Sequence, residues 1–198
     1  MTRSTLRRPG RRVALLVLAA GQVATPLLVS AFGGGAFTTA DRAAEPAIVP
    51  AGYAFSIWAV IELLSLLYAL WALPHGRPSP ELRDRLAAPL AVVFAGFSAW
   101  LVAAEVEPVW TTLAILVAMA AGLLVAVRRA LAASHEIRGW GRYGSGVFWT
   151  MAGLYLGWVS VAVWLNLTTT LVASGAPLDG PAGVGGQLAI LVGVTAPT

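Results

Sequence analysis

Residues 50 to 62 read Pro50-Ala51-Gly52-Tyr53-Ala54-Phe55-Ser56-Ile57-Trp58-Ala59-Val60-Ile61-Glu62. This stretch joins a Pro/Gly turn to an aromatic, apolar segment that carries one carboxylate. The next charged residue along the chain is Arg77, so Glu62 lies within a long uncharged run. A charged side chain at membrane depth is costly and usually faces a bundle interior or a cavity. The stretch therefore indicates a membrane helix and is the first candidate for a site.

The composition of the whole chain is that of a membrane protein. Of its 198 residues, 58% are hydrophobic and 11% are charged, whereas an ordinary soluble domain is about 25% charged. The length corresponds to one domain. The chain has no cysteine, which excludes disulfides, thiolate catalysis and cysteine metal sites. We therefore predict an all-α fold, a polytopic bundle of membrane helices, with no catalytic residues and no metal site.

Five segments are predicted to cross the membrane: 13–32, 51–73, 88–104, 109–127 and 147–173. Polar loops are predicted over 74–87 and 128–146. The first span is longer than the hydrophobic region of a signal peptide, about 7–15 residues, which favours a retained helix over a cleaved leader. An apolar stretch over 187–194 is too short to cross a bilayer, so it is interpreted as an interfacial tail or the start of a truncated sixth span.

The predicted domains follow from these spans. An arginine-rich cytoplasmic N-terminus covers residues 1–12, a five-helix transmembrane domain covers 13–173, and a Gly/Pro-rich loop with an apolar tail covers 174–198.

The arginines predict the orientation of the bundle. All 13 basic residues are Arg, and with the N-terminus inside the cell only Arg42 falls in an outer loop. Positive charge is enriched in the cytoplasmic loops of membrane proteins. We expect an integral protein of a bacterial plasma membrane, with a cytoplasmic N-terminus and with Pro50 and Gly52 at the outer face. The net charge of +4 then reflects topology and not binding to nucleic acid.

One face of the second span carries most of the candidate site residues. Five residues at helical spacing share this face: Phe55, Trp58, Glu62, Ser65 and Ala69. The opposite face is predicted to contact lipid and carries Ile57, Ile61, Leu64 and Tyr68. Spacings of three and four residues place side chains on one side of a helix. Two interpretations of Glu62 remain open, a carboxyl group hydrogen-bonded to a neighbouring helix and a group that contacts a ligand.

A second stripe lies on the fifth span. Its members follow the same spacing: Met151, Tyr155, Trp158, Ala162 and Asn166. The small Ala162 leaves room beside the Trp158 ring. Core packing of Trp158 and an interhelical hydrogen bond of Asn166 are the alternatives to ligand binding. The third span contributes Trp100, and Trp140 is predicted to be interfacial.

Two of these stretches together resemble the TspO/MBR family, the tryptophan-rich sensory proteins and the translocator protein (peripheral-type benzodiazepine receptor). The family enters its second helix with a Pro-Gly-Trp-x-Phe-x-Pro-Val-Trp pattern, which corresponds to residues 50–58. Its fifth helix has a Tyr-x-x-Trp-Val-x-x-Ala-x-x-Leu-Asn pattern, which residues 155–166 match. The sequence departs from the family at Ile57, Glu62 and Phe97, where a Pro, an aromatic residue and an Asn are usual.

The resemblance implies a five-helix bundle with a pocket between the helices, covered by the loop before the second span. In the family this pocket is associated with porphyrins, sterols and synthetic aromatic ligands. The resemblance therefore implies a membrane protein with a sensory or transport-regulatory role that binds a planar hydrophobic molecule, such as a porphyrin (a tetrapyrrole or haem-like ligand) or a sterol-like compound. No covalently bound or metal cofactor is expected.

The alternative function is a proton-coupled small-molecule transporter that uses Glu62. Catalysis on a bound porphyrin is a third function, but the spans contain no nucleophile–base pair for it. The expected partners are the lipid bilayer and a hydrophobic ligand, and a homodimer remains open. The ligand-binding candidates are Pro50, Gly52, Tyr53, Phe55, Trp58, Glu62, Trp100, Tyr155, Trp158, Ala162 and Asn166.

Overall fold

The computed structural model describes residues 10–32, 52–106 and 109–177, together with 183, 185–187 and 189. The helices of this part of the chain are α1 (Gly10–Phe32), α2 (Ile57–Ala72), α3 (Pro80–Val106), α4 (Val109–Ala132), α5 (Ser134–Arg138) and α6 (Gly141–Ala173). A 3-10 turn over Gly52–Ser56 leads directly into α2. These ranges contain no β-strand, and five of the helices are long and apolar enough to cross a membrane. The predicted all-α membrane bundle is thereby confirmed.

The two predicted inner loops are shorter than expected. The loop predicted over 74–87 ends where α3 begins at Pro80, and most of the loop predicted over 128–146 is helical. Charged residues such as Glu81 and Arg85 made the first turns of α3 look like a loop by composition. Pro at the first position of a helix and an acidic residue directly after it are nevertheless ordinary features of a helix start.

The five long helices form a closed ring. In this ring α1 packs against α2 and α3, α4 packs against α3 and α6, and α6 packs against α2. The buried face of α2 is therefore wide, because this helix contacts neighbours on two sides. The prediction that Ile61 and Tyr68 face lipid is wrong, since both side chains are fully buried.

The two ends of the ring differ in charge. At one end α1, α3 and α6 begin and α2 and α4 end. There Arg12 Nε lies 2.6 Å from Asp84 Oδ1, and Arg129 donates to the Arg85 carbonyl oxygen at 2.7 Å. We call this the arginine-rich end. We call the opposite end the acidic end, because the sequence next to the helix ends there holds Asp41, Glu45, Glu105, Glu107 and Asp179 against Arg42.

Aromatic rings close the arginine-rich end. Trp140 lies 4.9 Å from Trp71 and 6.3 Å from Tyr68, centroid to centroid, and Phe148 lies 5.4 Å from Tyr68. Trp140 is only 5% exposed, so the prediction that it is interfacial is wrong. The rings approach α6 closely because position 144 is a glycine, and a Cβ atom there would overlap the Trp71 ring.

We expect Gly144→Leu to lower the free energy of unfolding by about 1–3 kcal/mol, the usual cost of overpacking a filled core. The added side chain must displace Trp71, which is itself buried. The matched control is Gly146→Leu on the same helix, where a Cβ atom meets nothing within 4 Å. That control should be neutral or stabilising because Leu favours a helix more than Gly does. Thermal unfolding in detergent measures both variants, and equal melting temperatures would contradict the prediction.

Candidate functional site

Six aromatic side chains from α2, its leading 3-10 turn, α3 and α6 form one group in the half of the ring towards the acidic end. We call this group the aromatic cluster, and its members are Phe55, Trp58, Phe97, Trp100, Tyr155 and Trp158. The 3-10 turn sets the position of Phe55 at the entrance to α2. The stripes predicted on the second and fifth spans supply four of the six members.

Trp58 is the centre of the aromatic cluster. The centroid of its ring lies 4.7 Å from Phe97, 5.7 Å from Tyr155, 6.0 Å from Trp100 and 6.3 Å from Trp158. Aromatic pairs at 4.5–7 Å, offset or edge to face, attract each other by about 0.5–1.5 kcal/mol beyond their burial. The cluster therefore holds α2, α3 and α6 together across the interior of the ring.

The cluster is closed on one side and open on the other. Trp58 is 7% exposed and Trp100 5% exposed. Phe55 and Trp158 are half-buried, and their rings meet edge to face with centroids 6.0 Å apart. These two rings therefore form the accessible edge of the aromatic cluster, on the side of the acidic end.

A layer of polar groups lies one helical turn deeper. We call Gln22, Glu62 and the Tyr155 hydroxyl the polar layer. Gln22 Nε2 donates to Tyr155 Oη at 2.7 Å, and both side chains are fully buried. Glu62 is 7% exposed and lies four residues, about one helical turn, beyond Trp58 on α2. The layer therefore joins α1, α2 and α6 beneath the rings of the aromatic cluster.

Several polar atoms around Trp58 have no partner. Gln22 Oε1 and Trp58 Nε1 are buried and make no hydrogen bond to any residue that the structure describes. The first interpretation of Glu62, a hydrogen bond to a neighbouring helix, finds no partner among the residues the structure describes. A buried polar atom left without a hydrogen bond costs about 1–3 kcal/mol. The site thus combines apolar walls with unpaired acceptors and with two donors, Trp58 Nε1 and the Tyr155 hydroxyl.

Asn166 connects α6 with α3 beside the cluster. Its Oδ1 atom accepts from Trp100 Nε1 at 3.4 Å, a long hydrogen bond, and its Nδ2 atom donates to the Ala162 carbonyl oxygen at 3.1 Å. The alternative considered for Asn166, an interhelical hydrogen bond, is therefore present. Ala162 is buried and carries only a methyl group at this level.

The structure brings most of the predicted site residues together. Those in or beside the aromatic cluster and the polar layer are Phe55, Trp58, Glu62, Trp100, Tyr155, Trp158, Ala162 and Asn166. Tyr53 lies apart, because its side chain is 83% exposed. Gly52 starts the 3-10 turn. Pro50 lies outside the described residues.

The sequence-based prediction missed two members of the site. Phe97 appeared only as a departure from a family pattern, yet its ring makes the shortest ring contact of Trp58. Gln22, within the first predicted span, was not among the candidate residues. An amide inside an apolar span was the available signal for Gln22, since polar groups at membrane depth are site candidates. Among the described residues, no group of three or more His, Asp or Glu side chains could hold a metal ion.

Comparison with known proteins identifies the family. A family model described as TSPO-like protein matches residues 13–194. In the same comparisons no curated protein and no solved structure matches the chain. The matched region begins inside α1, continues past the end of α6 and includes the whole aromatic cluster and polar layer. The chain therefore belongs to the TSPO-like protein family.

Proposed function

We propose that this membrane protein binds a planar hydrophobic small molecule, of the porphyrin (tetrapyrrole) or sterol-like class, at the aromatic cluster. Its role is then sensory or transport-regulatory. The observation that supports the proposal is the aromatic cluster with unpaired polar atoms at its core. Binding sites for small molecules are mostly apolar and aromatic, with a few polar groups that fix the orientation of the ligand.

A purely structural core does not need this combination. Aliphatic side chains fill the space between membrane helices without leaving a hydrogen-bonding atom unpaired. Here Trp58 Nε1 and Gln22 Oε1 are both buried and have no partner among the described residues. A ligand that offers an acceptor to Trp58 and a donor to Gln22 would remove both costs.

The ligand binds at the accessible edge of the aromatic cluster. A flat ring system packs against Phe55 and Trp158, the two half-buried rings, and its polar end is directed towards Trp58 and the polar layer. Ala162, which is one turn beyond Trp158 on α6, adds little volume there. The ligand enters from the acidic end, where α2 begins.

Tryptophan fluorescence tests the proposal directly. We expect protoporphyrin IX dimethyl ester, a neutral planar probe, to quench the purified protein saturably in a nonionic detergent. Trp158→Ala should raise the Kd about tenfold, because an aromatic side chain that packs against a bound ligand contributes on the order of 1–2 kcal/mol to binding. The matched control is Trp164→Ala, six residues further along α6 and 36% exposed, which should leave the Kd unchanged.

Three outcomes decide between versions of the proposal. Displacement of the porphyrin ester by cholesterol favours the sterol-like class. Saturable binding that Trp158→Ala does not weaken places the ligand elsewhere. Absence of saturable quenching in the unaltered protein contradicts the porphyrin version.

The second candidate function is a proton-coupled transporter, and the observation in its favour is Glu62. This carboxylate is buried within a span, and no described residue gives it an ion pair or a hydrogen bond. Charges at such positions often lie on proton or ion routes. The measurement is pH-dependent uptake of the porphyrin ester into proteoliposomes with Glu62→Gln as the comparison. Uptake that is the same in both proteins would remove this candidate.

A further inference from the structure

We infer that the polar end of the ligand is a cation or an N–H donor, an amine above all, and that the site selects against carboxylates. This inference rests on the proposed function, because it concerns the ligand of the same site. In a simple apolar pocket Glu62 and Gln22 would have no role, whereas here they recognise the polar end of the ligand.

The polar groups that lack partners at the site are mainly acceptors. Glu62 offers two carboxylate oxygens and Gln22 offers Oε1, which is buried and unpaired. Two donors also lie at this level: Trp58 Nε1, an unpaired indole N–H that cannot accept, and the Tyr155 hydroxyl, which accepts from Gln22 and keeps its own hydrogen to donate. An ammonium group has three donors and no acceptor, so it complements Glu62 and Gln22 together.

Among the residues that the structure describes, no positive charge lies near the site to pair with an anionic ligand. Every Arg and His among the described residues lies at the arginine-rich end, in the first turns of α1, α3 and α6, the last turn of α4, α5 and the α2–α3 connection. Ala72, where α2 ends, is ten residues beyond Glu62, which is about 15 Å along the helix axis. A carboxylate at the polar layer would therefore be buried beside a like charge without a counter-ion.

The negative charge of Glu62 also favours a cationic ligand over a neutral or an anionic one. Its side chain is 7% exposed, and no described side chain forms an ion pair with it. A buried charge is costly unless it is paired, so a ligand cation gains an interaction that a neutral ligand does not. Burial also strengthens the attraction, because the effective dielectric constant inside the protein is far below that of water.

The sequence also predicts a negative electrostatic potential at the acidic end, of the same sign as the charge of Glu62. The stretches of sequence next to the helix ends on this side, 33–51, 105–108 and 178–182, hold five carboxylates, at Asp41, Glu45, Glu105, Glu107 and Asp179, and one base, at Arg42. Clustered charges of one sign raise the local concentration of oppositely charged ligands. A cationic ligand is thus attracted towards the side on which Phe55 and Trp158 form the accessible edge, and a carboxylate is repelled.

Three pyrene probes that share one ring system test the inference. They are 1-pyrenemethylamine, a cation, 1-pyrenemethanol, which is neutral, and 1-pyreneacetic acid, an anion. Energy transfer from tryptophan to pyrene measures binding to the full chain in a nonionic detergent, at one pH and one salt concentration. We expect the amine to bind at least tenfold more tightly than the acid, with the alcohol between them.

Two variants with the same change in net charge locate the origin of this preference. Glu62→Gln keeps the size of the side chain and should reduce the ratio of amine to acid affinity several-fold. Glu136→Gln removes a carboxylate at the arginine-rich end, 3.6 Å from Arg85, and should leave the ratio unchanged. Size-exclusion chromatography of each variant verifies that it is folded.

The outcomes separate this inference from the proposed function. Equal binding of the three probes overturns the inference and supports the proposed function. Saturable binding of none of them contradicts the proposed function itself. An amine preference that persists undiminished in Glu62→Gln overturns the role given to Glu62. The comparison of the three probes on the unaltered protein needs no variant, so the inference can fail even if Glu62→Gln does not fold.

Discussion

Replacing Arg83 by methionine is expected to lower the free energy of unfolding by about 3 kcal/mol or more, because several charge-assisted hydrogen bonds are lost together. The Arg83 side chain is 1% exposed. Its guanidinium donates to the carbonyl oxygens of Ala72 and Pro74 through Nη1, of Arg77 through Nη2 and of Pro78 through Nε. One side chain thus holds the end of α2 and the connection to α3.

The position of Arg83 explains why a buried charge is tolerated there. The last carbonyl groups of a helix have no partner within the helix and carry a partial negative charge. Arg83 lies in the first turn of α3 and reaches back to the end of α2, where Ala72 is the last helical residue. Methionine fills much of the same volume but donates no hydrogen bond, so four carbonyl oxygens lose the donor that Arg83 supplies, although that of Pro74 still accepts from the Arg77 N–H at 3.4 Å.

The matched control for Arg83→Met is Arg85→Met, two residues further along α3. The Arg85 side chain is 60% exposed and lies 3.6 Å from Glu136, and exposed ion pairs contribute about 0–1 kcal/mol. Unfolding by sodium dodecyl sulfate in mixed micelles, followed by circular dichroism, measures both variants. Equal losses of stability would show that Arg83 contributes only as another surface charge.

The spans and their order could be predicted from the sequence because the cost of placing charges and backbone in lipid is large. The stripe of Phe55, Trp58 and Glu62 was also predicted correctly as an inward face, since helical spacing alone fixes it. The burial of the opposite face of α2 was not predicted. Ile61 and Tyr68 are fully buried, and composition cannot separate such residues from lipid-facing ones because lipid chains are as apolar as the interior of a bundle.

Contacts between distant segments could not be predicted from the sequence. The hydrogen bond between Gln22 and Tyr155 joins residues 133 positions apart, and it depends on how far α1 and α6 are shifted along each other. Arg83 looked like one of many loop arginines, because its role depends on the turn that brings the start of α3 beside the end of α2. The spacing of residues within one helix predicts neither the shift of α1 along α6 nor the turn between α2 and α3.

Trp58→Ala is expected to lower the free energy of unfolding by about 3–5 kcal/mol, the usual cost of truncating a buried tryptophan. The ring of Trp58 contacts those of Phe97, Trp100, Tyr155 and Trp158. Within a membrane the loss is mainly one of packing, since lipid offers apolar surroundings but not the close contacts of the cluster. Thermal unfolding in detergent measures the change, with Trp110→Ala, 56% exposed, as the control.

Added indole should restore part of the stability of Trp58→Ala. The substitution leaves a cavity with the shape of an indole side chain, and apolar cavities of this kind bind small aromatic molecules. A bound ligand raises the apparent stability by RT ln(1 + [L]/Kd), so an indole concentration tenfold above its Kd contributes about 1.4 kcal/mol. The melting temperatures of the unaltered protein and of Trp110→Ala should not respond. A Trp58→Ala variant that is as stable as the control and insensitive to indole would show that the cluster closes over the gap, and that Trp58 is not its centre.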